Sequence, residues 1–537
     1  MQRMMPGPVD RTSIAGKDFP TDGHAELLVV GAGPAGIAAA LAARRLGFDV
    51  MLVDEHPVGS ALIGLDVPFL FGERLDPAVQ NKARMLERVV AGRPAIEQLF
   101  EAGVDVRLGV YVWGAFGESA TSRALPRSLL GLADEERSWL VSFDRIIVAA
   151  GARDLALAFP GWDRPGVMGA QGFAVATRLY QAFSGRRVVI LGAGALGLGL
   201  ATDALAAGLE VAGIVDVQGA AEAGPVLARL RERDIPIHTA HVVQGTLGTM
   251  GIEGVRLAPL GAPGAAFEIP CDTIVSALDL VPTIEIFDLL GCTIAWRSEL
   301  GGFVPVVDAD GRTSVPHVYA AGDCTGITDA AIADPTLAAA SGRRAVQAAA
   351  RDSGVEVESP AAQAPATPAD RQSARRAWLQ AHKEAAGEMI ICRCEEVSLG
   401  DLLGVRPPHY LSYDATKFAA RDLRTLAAEG PINQDQVKRL TRAGMGSCQG
   451  RRCRDQVHLL LAMQGNQPGG SVPMPTYRAP LRPLPLNVLC AGDESAEMRR
   501  HWVSWFGIPS QWLPHWEKVP DVIDPRDDRI GLKDIIE

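Results

Sequence analysis

Residues 26–36 read Glu-Leu-Leu-Val-Val-Gly-Ala-Gly-Pro-Ala-Gly. The apolar run through Val30 has the length and composition of a strand buried on both faces of a parallel sheet. It stops at Gly31-Ala32-Gly33-Pro34-Ala35-Gly36, and an Ala-rich helical stretch follows to Leu46. A second strand over 50–53 runs into Asp54-Glu55. Strand, GxGxxG, helix, strand and acid, in that order, form a dinucleotide-binding βαβ unit. Gly31 allows the tight turn, Gly33 lets a pyrophosphate approach the backbone, and Gly36 lets helix and strand pack closely. The helix N-terminus then offers free N–H groups and the positive end of its dipole to the phosphates. Asp54, 18 positions after Gly36, is placed to accept from ribose hydroxyls, with Glu55 as the neighbouring alternative. The competing reading, a Gly-rich turn that binds nothing, has to account for the agreement of all these parts.

The unit occurs twice. Arg187–Leu191 is again an apolar strand, followed by Gly192-Ala193-Gly194-Ala195-Leu196-Gly197, a helix to Ala207, and a strand over 211–215 ending in Asp216. An apolar strand at 145–151 is echoed at 272–278. This is duplication of a whole βαβ unit and implies no solenoid. Strands at 303–307 and 317–324 and a helix over about 330–350 have no counterpart in the second half. They return to complete the first, so the expected fold is α/β with two nested Rossmann-like domains. Asp216 would pair with a free 2′-hydroxyl and repel a 2′-phosphate, which prefers NAD over NADP at Gly192, Gly194 and Gly197. In related reductases the strand matching 274–277 runs into glycine; here it runs into Leu278-Asp279. The alternatives at this second site are another adenine nucleotide or a retained scaffold that binds nothing.

The chain has 537 residues, 47% apolar and 21% charged, which calls for several globular domains. The expected order is 24–160, first part of the first nucleotide-binding domain; 161–285, the inserted domain; 286–352, second part of the first. A Pro-containing linker over 353–370, a cysteine-bearing domain over 371–465, and a Pro-rich segment with a Trp-rich extension over 466–537 follow. A net charge of −11 argues against a nucleic-acid backbone as partner. No run of about 18 uncharged apolar residues predicts a transmembrane helix. The first twenty residues have no apolar signal core, so the cytoplasm is expected, where disulfides are rare.

Cys392-Arg-Cys394 and Cys448-Gln-Gly-Arg-Arg-Cys453 bring four thiols into two close pairs, a pattern for one metal centre. Zinc more often uses CxxC knuckles, and four Cys without His also suit a [2Fe–2S] cluster. Arg393, Arg442, Arg451, Arg452 and Arg454 would offset the negative charge of such a cluster. Gly444, Gly446 and Gly450 allow tight turns that aim N–H groups at sulfur. A structural zinc and four unrelated core cysteines are the alternatives. The basic surface lacks the interleaved aromatics of an RNA-binding face. No cysteine occurs before Cys271, which excludes dithiol–disulfide exchange at the first nucleotide site.

Five stretches carry a resemblance. Ile147-Val-Ala-Ala-Gly151-Ala and Val318-Tyr-Ala-Ala-Gly322-Asp323 resemble the middle and late motifs of two-dinucleotide flavoproteins. In those enzymes the first, split domain binds FAD and a strand-end Asp holds the ribityl chain. The resemblance implies FAD at Gly31, Gly33, Ala35, Gly36, Asp54 or Glu55, Gly151, Gly322 and Asp323. Ile391–Val397 and Gln436–Cys453 resemble the bacterioferritin-associated-ferredoxin type of [2Fe–2S] domain. Its fusion behind a two-dinucleotide module is similar to the α subunit of heteromeric flavin amine dehydrogenases: opine oxidases, hydrogen cyanide synthase, and D-proline or hydroxyproline dehydrogenases. Phe159–Val167 (Phe-Pro-Gly-Trp-Asp-Arg-Pro-Gly-Val) resembles that family as well, and the likeness spans about residues 25–485.

The family implies that Cys392, Cys394, Cys448 and Cys453 hold the cluster and that the chain transfers electrons. The amine is oxidised on a glycine-oxidase-like, flavin-containing β subunit. In that family FMN is often found at the subunit interface, and the resemblance implies that electrons leave to an acceptor protein or a quinone. The sequence departs from the family in three places. Ala61–Asp66 replaces the usual Gly-Gly-Gln, 53 residues separate Cys394 from Cys448 with an insertion around 407–431, and the tail after Cys490 has no counterpart. The sequence offers no acid–base or nucleophile constellation, so no catalytic residue is assigned. Two readings compete: a self-sufficient NADH-dependent FAD/[2Fe–2S] reductase, and a non-catalytic scaffold subunit with vestigial cofactor sites.

Overall fold

The computed structural model describes residues 21–58, 75–76, 79, 81–117, 127–357, 371–383, 389–408, 410–411, 414, 416 and 420–490. The segment 61–66, most of the expected linker, part of the 407–431 insertion and the four tail tryptophans, Trp502, Trp505, Trp512 and Trp516, lie outside the described residues. The chain divides into two compact units, 1–484 and 485–537. In the second, the described part is a short helix, Leu486–Cys490.

The first unit is organised by a seven-stranded sheet. Strands β1 (His24–Val30), β2 (Val50–Asp54), β3 (Asp105–Leu108), β4 (Tyr111–Phe116), β5 (Leu129–Ala133) and β6 (Ser138–Val148) lie in the order β3-β2-β1-β6-β5-β4. β3, β2, β1 and β6 run parallel, and β5 and β4 continue antiparallel. Leu27, Leu28 and Val29 are fully buried, as expected for a strand covered on both faces. The helix Pro34–Arg45 covers one face with a stripe of Ala35, Ala39, Ala40 and Ala43. It packs against the helix Pro335–Asp352, where a Cβ on Gly342 would lie 2.0 Å from the Ala35 carbonyl.

β7 (Ala152–Asp154) leads out of this sheet. β8 (Val167–Gly169), β9 (Arg187–Leu191), β10 (Glu210–Val215), β11 (Ile237–His238) and β15 (Thr273–Ser276) form a second parallel sheet, ordered β11-β10-β9-β15-β8. β12 (His241–Leu247), β13 (Gly254–Pro259) and β14 (Phe267–Pro270) form an antiparallel sheet beside it. β16 (Leu280–Pro282) pairs antiparallel with β7, so the chain enters and leaves through one two-stranded ribbon. After the hairpin β17 (Ile294–Arg297) and β18 (Gly302–Pro305), β19 (Val318–Ala320) returns to the first sheet beside β6. The single helix expected over 330–350 is two, Asp329–Ala333 and Pro335–Asp352. The Asp334 carboxylate caps the second by accepting from the Thr336 N–H at 2.9 Å, and Pro335 opens it at a position that needs no N–H donor.

The cysteine-bearing segment comprises the helix Arg371–Lys383, β20 (Ile390–Cys392), β21 (Val397–Ser398) and the helices Leu423–Glu429, Gln434–Thr441 and Arg454–Gln464. Its core is continuous with that of the inserted sheets. Trp378, Ile391 and Leu460 bury with Phe159, Val243 and Ile252 in one cluster. The Phe159–Trp162 stretch is the joint. Phe159 meets Trp378 edge to face at 6.1 Å, and the Trp378 indole N–H donates to the Ala158 carbonyl at 3.1 Å. Trp162 donates likewise to Ile390. Among the described residues, no helix is long and apolar enough to cross a membrane.

Candidate functional site

A cavity of about 450 Å³ opens at the carboxyl ends of the first sheet's parallel strands, where open α/β sheets bind ligands. Gly31 and Gly33 line it, as do Asp54, Glu55, Gly151 and Asp323. The two outer glycines of the fingerprint are closed around backbone: a Cβ on Gly31 would meet the Ala149 carbonyl at 2.3 Å, and one on Gly36 would meet the Gly31 carbonyl at 1.8 Å. Gly33 faces open space, the room a pyrophosphate needs at the helix N-terminus. Gly322 approaches Ala35 at 3.0 Å on the same test, which brings the late motif onto the first helix. Burial raises the Asp323 carboxyl above its ordinary value.

Asp54 has work inside the protein. One carboxylate oxygen accepts from the Ala32 N–H at 2.6 Å, and the other accepts from the His56 N–H at 2.9 Å. Burial alone would raise its pKa. The hydrogen bond and charge of His56, then the charge of Arg93, outweigh burial and hold it well below the usual carboxylate range. Each oxygen has one backbone donor, and the one that accepts from the His56 N–H also lies 3.1 Å from the His56 ring Nδ1. Glu55 stands beside it, paired with Arg482.

The second fingerprint repeats this geometry. A Cβ on Gly192 would meet the Ala277 carbonyl at 2.3 Å, and one on Gly197 the Gly192 carbonyl at 2.0 Å. Asp216 accepts from the Ala193 and Gln218 N–H groups at 2.8 and 2.9 Å. Two features differ from the first site. The carboxylate of Glu222 stands 3.7 Å from a Cβ built on Gly194, where the first fingerprint is open. Asp279, the residue standing near the usual glycine, is buried and held by Arg371 and Arg375 from the helix Arg371–Lys383.

The four cysteines converge as two pairs. In one, Cys453 hydrogen-bonds Cys392; in the other, Cys448 hydrogen-bonds Cys394. The hydrogen bond within each pair, above all, holds Cys392 and Cys394 below the usual thiol range and pushes Cys448 and Cys453 up. The Gly444 N–H donates to the Cys392 sulfur at 3.4 Å. Gly446 passes so close that a Cβ there would lie 2.3 Å from the Cys394 Cβ. Among the described residues, no group of three or more His, Cys, Asp or Glu side chains is gathered as a finished metal site. The donor set is four sulfurs without histidine or carboxylate, the set an iron–sulfur cluster uses.

The first cavity reaches this module: Arg393, Arg451 and Arg452 line it. A buried ion network runs alongside. Arg153 donates to Glu285 at 2.8 Å and to Asp455 at 3.0 Å, and Arg454 stacks on the Tyr477 ring at 3.8 Å. These partners are far apart in sequence, and no local motif announces them. The Phe159–Val167 stretch, which resembles the family in sequence, contains the joint residues Phe159 and Trp162.

Residues 25–358 match the pyridine nucleotide-disulphide oxidoreductase family, and residues 411–493 match the sarcosine oxidase A3 domain. The chain belongs to the pyridine nucleotide-disulphide oxidoreductase family. It is 28% identical over 497 residues to an opine oxidase subunit of Agrobacterium tumefaciens (strain Ach5), covering 86% of this chain and 90% of that one. It is 26% identical over 510 residues to hydrogen cyanide synthase subunit HcnB of Pseudomonas protegens, covering 88% and 99%. Against the alpha chain of sarcosine oxidase from Corynebacterium sp. (strain P-1) it is 26% identical and spans 46% of that chain. Its fold is shared with L-proline dehydrogenase from P. horikoshii, with a TM-score of 0.57, 18% identity, and coverage of 88% and 81%. The protein is an oxidoreductase on the two-dinucleotide flavoprotein fold. FAD, the cofactor this fold family implies, fits the first site: the open face of Gly33, the helix N-terminus, the acids at the end of β2 and a cavity of about 450 Å³ that Asp323 also lines suit a dinucleotide. The disulphide chemistry in the family's name has no cysteine pair beside this cavity among the described residues.

Proposed function

We propose that the chain is the FAD- and [2Fe–2S]-containing electron-transfer subunit of a heteromeric dehydrogenase or oxidase. Its substrate class is an amino acid, N-alkyl amino acid or opine, and the amine is oxidised on a partner flavin subunit. The observation that carries this reading is that Arg393, Arg451 and Arg452, from the two cysteine loops, line the first nucleotide cavity. Bound there, FAD takes electrons in pairs and a two-iron cluster takes them singly. The protein's own part is to hold both. Gly33 at the helix N-terminus receives the phosphates, with Gly31 and Gly36 allowing the turn and the packing behind it; Asp323 faces the ribityl region, and Cys392, Cys394, Cys448 and Cys453 supply the thiolates. The three arginines offset the cluster's negative charge.

The relatives support the heteromeric part: by name they are subunits of opine oxidase, hydrogen cyanide synthase and sarcosine oxidase. On this reading the partner is a glycine-oxidase-like β subunit, FMN lies at their interface, and a protein or quinone takes the electrons. The cytoplasm is the compartment, because thiolate ligands need a reducing environment. Co-expression with a glycine-oxidase-like flavin chain from the same genome tests the proposal. An amine should bleach the flavin of the complex and leave the isolated chain oxidised. The repeated geometry of the second fingerprint favours a second reading, an NADH-dependent reductase. Rapid flavin bleaching of the isolated chain by NADH would support that reading and overturn the first.

A further inference from the structure

The segment following the cysteine module returns to the first sheet. The Leu481 N–H donates to the Trp113 carbonyl at 2.6 Å, and Tyr477 and Leu481 bury in the core of that sheet. This places Arg482, 6% exposed, against Glu55, with one guanidinium nitrogen donating to both carboxylate oxygens. Glu55 directly follows β2, on the side of a Rossmann unit that meets the adenosine ribose. The residue before β4 meets the end of β2, for the Val110 N–H donates to the Asp54 carbonyl at 3.0 Å. Next in the chain is Tyr111, 4% exposed, whose buried hydroxyl has no hydrogen-bond partner. Leaving a buried hydroxyl unpaired is costly unless a ligand completes it. Burial pushes the Tyr111 phenol up to about 12, so it is a donor at neutral pH. Glu55, Tyr111, Leu481 and Arg482 line the same cavity as Gly31 and Gly33.

We infer that the adenosine end of the FAD site is completed by this returning segment. Arg482 is a positioning residue that fixes the Glu55 carboxylate for the ribose hydroxyls, and Tyr111 donates a hydrogen bond to the adenosine half. A residue more than four hundred positions after the fingerprint thereby makes cofactor retention depend on the module behind it. The inference rests on the assignment of FAD to the first fingerprint.

The test uses the full chain stripped of flavin and titrated separately with FAD and with ADP, which carries the adenosine half alone. Arg482→Met should weaken both FAD and ADP by the same factor, about tenfold or more. Arg482→Lys should recover part of the loss. Tyr111→Phe should weaken both by a smaller factor and should not lower the melting temperature of the stripped protein, because the hydroxyl has no partner there to lose. Should Arg482→Met fail to fold, Tyr111→Phe and Glu55→Gln carry the test alone. FAD and ADP affinities equal to wild type in the folded variants would overturn the inference while leaving the FAD site standing. Wild-type protein that takes up no FAD would overturn the underlying assignment, and the inference with it.

Discussion

Glu285 lies within 2.8 Å of Arg153 and 4.0 Å of Arg454 and is almost wholly buried. Burial by itself would raise its carboxyl. The charges of Arg153, Arg451 and Arg454 outweigh that and bring it from 4.5 to about 2. A carboxyl depressed in the folded state contributes stability that is complete above its unfolded pKa and is lost as pH falls toward its folded one. Wild-type protein should therefore lose about 3 kcal/mol from this group between roughly pH 5 and pH 2. Glu285→Gln should cost about 3–5 kcal/mol at neutral pH, because it leaves buried arginines short of a counter-charge, and should melt with a shallower acid slope. Parallel acid slopes for the two proteins would contradict the assignment. A second prediction separates the fingerprints. Gly33→Val puts a side chain in the open space at the first site and should yield FAD-poor protein, whereas Gly194→Val should leave FAD at full occupancy. Flavin content of the purified variants decides it. At this scale the glycines and Asp54 were legible because their chemistry depends on neighbours a few positions away. Arg153, Glu285 and Arg482 were not, because each finds its partner across more than a hundred residues of chain.

Among the elements, the helix Arg371–Lys383 does the joining. Arg375 reaches Asp279 and the carbonyls of Gly301 and Leu280, and Trp378 fills the core beside Phe159. Trp378→Ala should cost about 3–5 kcal/mol and should loosen the cysteine module from the inserted sheets before the first sheet melts. Hydrogen exchange that rises first over 371–383 and 454–464 would show it; uniform exchange across the unit would not. The strands of both parallel sheets could be read from their apolar runs, since a strand covered on both faces has little freedom in composition. The antiparallel sheet β12-β13-β14 could not, for its strands are half exposed and mixed in character. The helix break at Asp334-Pro335 was written in the sequence as a cap followed by a proline, but the apolar period continues through it. Asp279 reads in sequence as a departure from a reductase motif; in the structure it is the anchor for two arginines of a later element.

The molecule joins a nucleotide cavity to a four-thiol module through one shared core, and the fold of the two Rossmann-like domains followed from two copies of one motif. The insertion of the second sheet was legible because the late strand and helix matched nothing in the second half. The shared core was not, because nothing local distinguishes Trp378 from any other buried tryptophan. Truncation after Leu489 tests the role of the tail that carries Trp502, Trp505, Trp512 and Trp516. If the tail docks the partner, the shortened chain stays folded and coloured but no longer captures the flavin β subunit; unchanged assembly and activity would rule that role out. The central claim is that one chain holds a flavin and an iron–sulfur cluster in communication. Iron, zinc, FAD and low-temperature EPR, measured together on anaerobically purified chain and on Cys448→Ser, test it most directly. The wild-type chain should hold one FAD and two irons and give an EPR signal on reduction, and the variant should lose most of the iron and that signal while retaining FAD. Stoichiometric zinc without iron in the wild-type chain would contradict it.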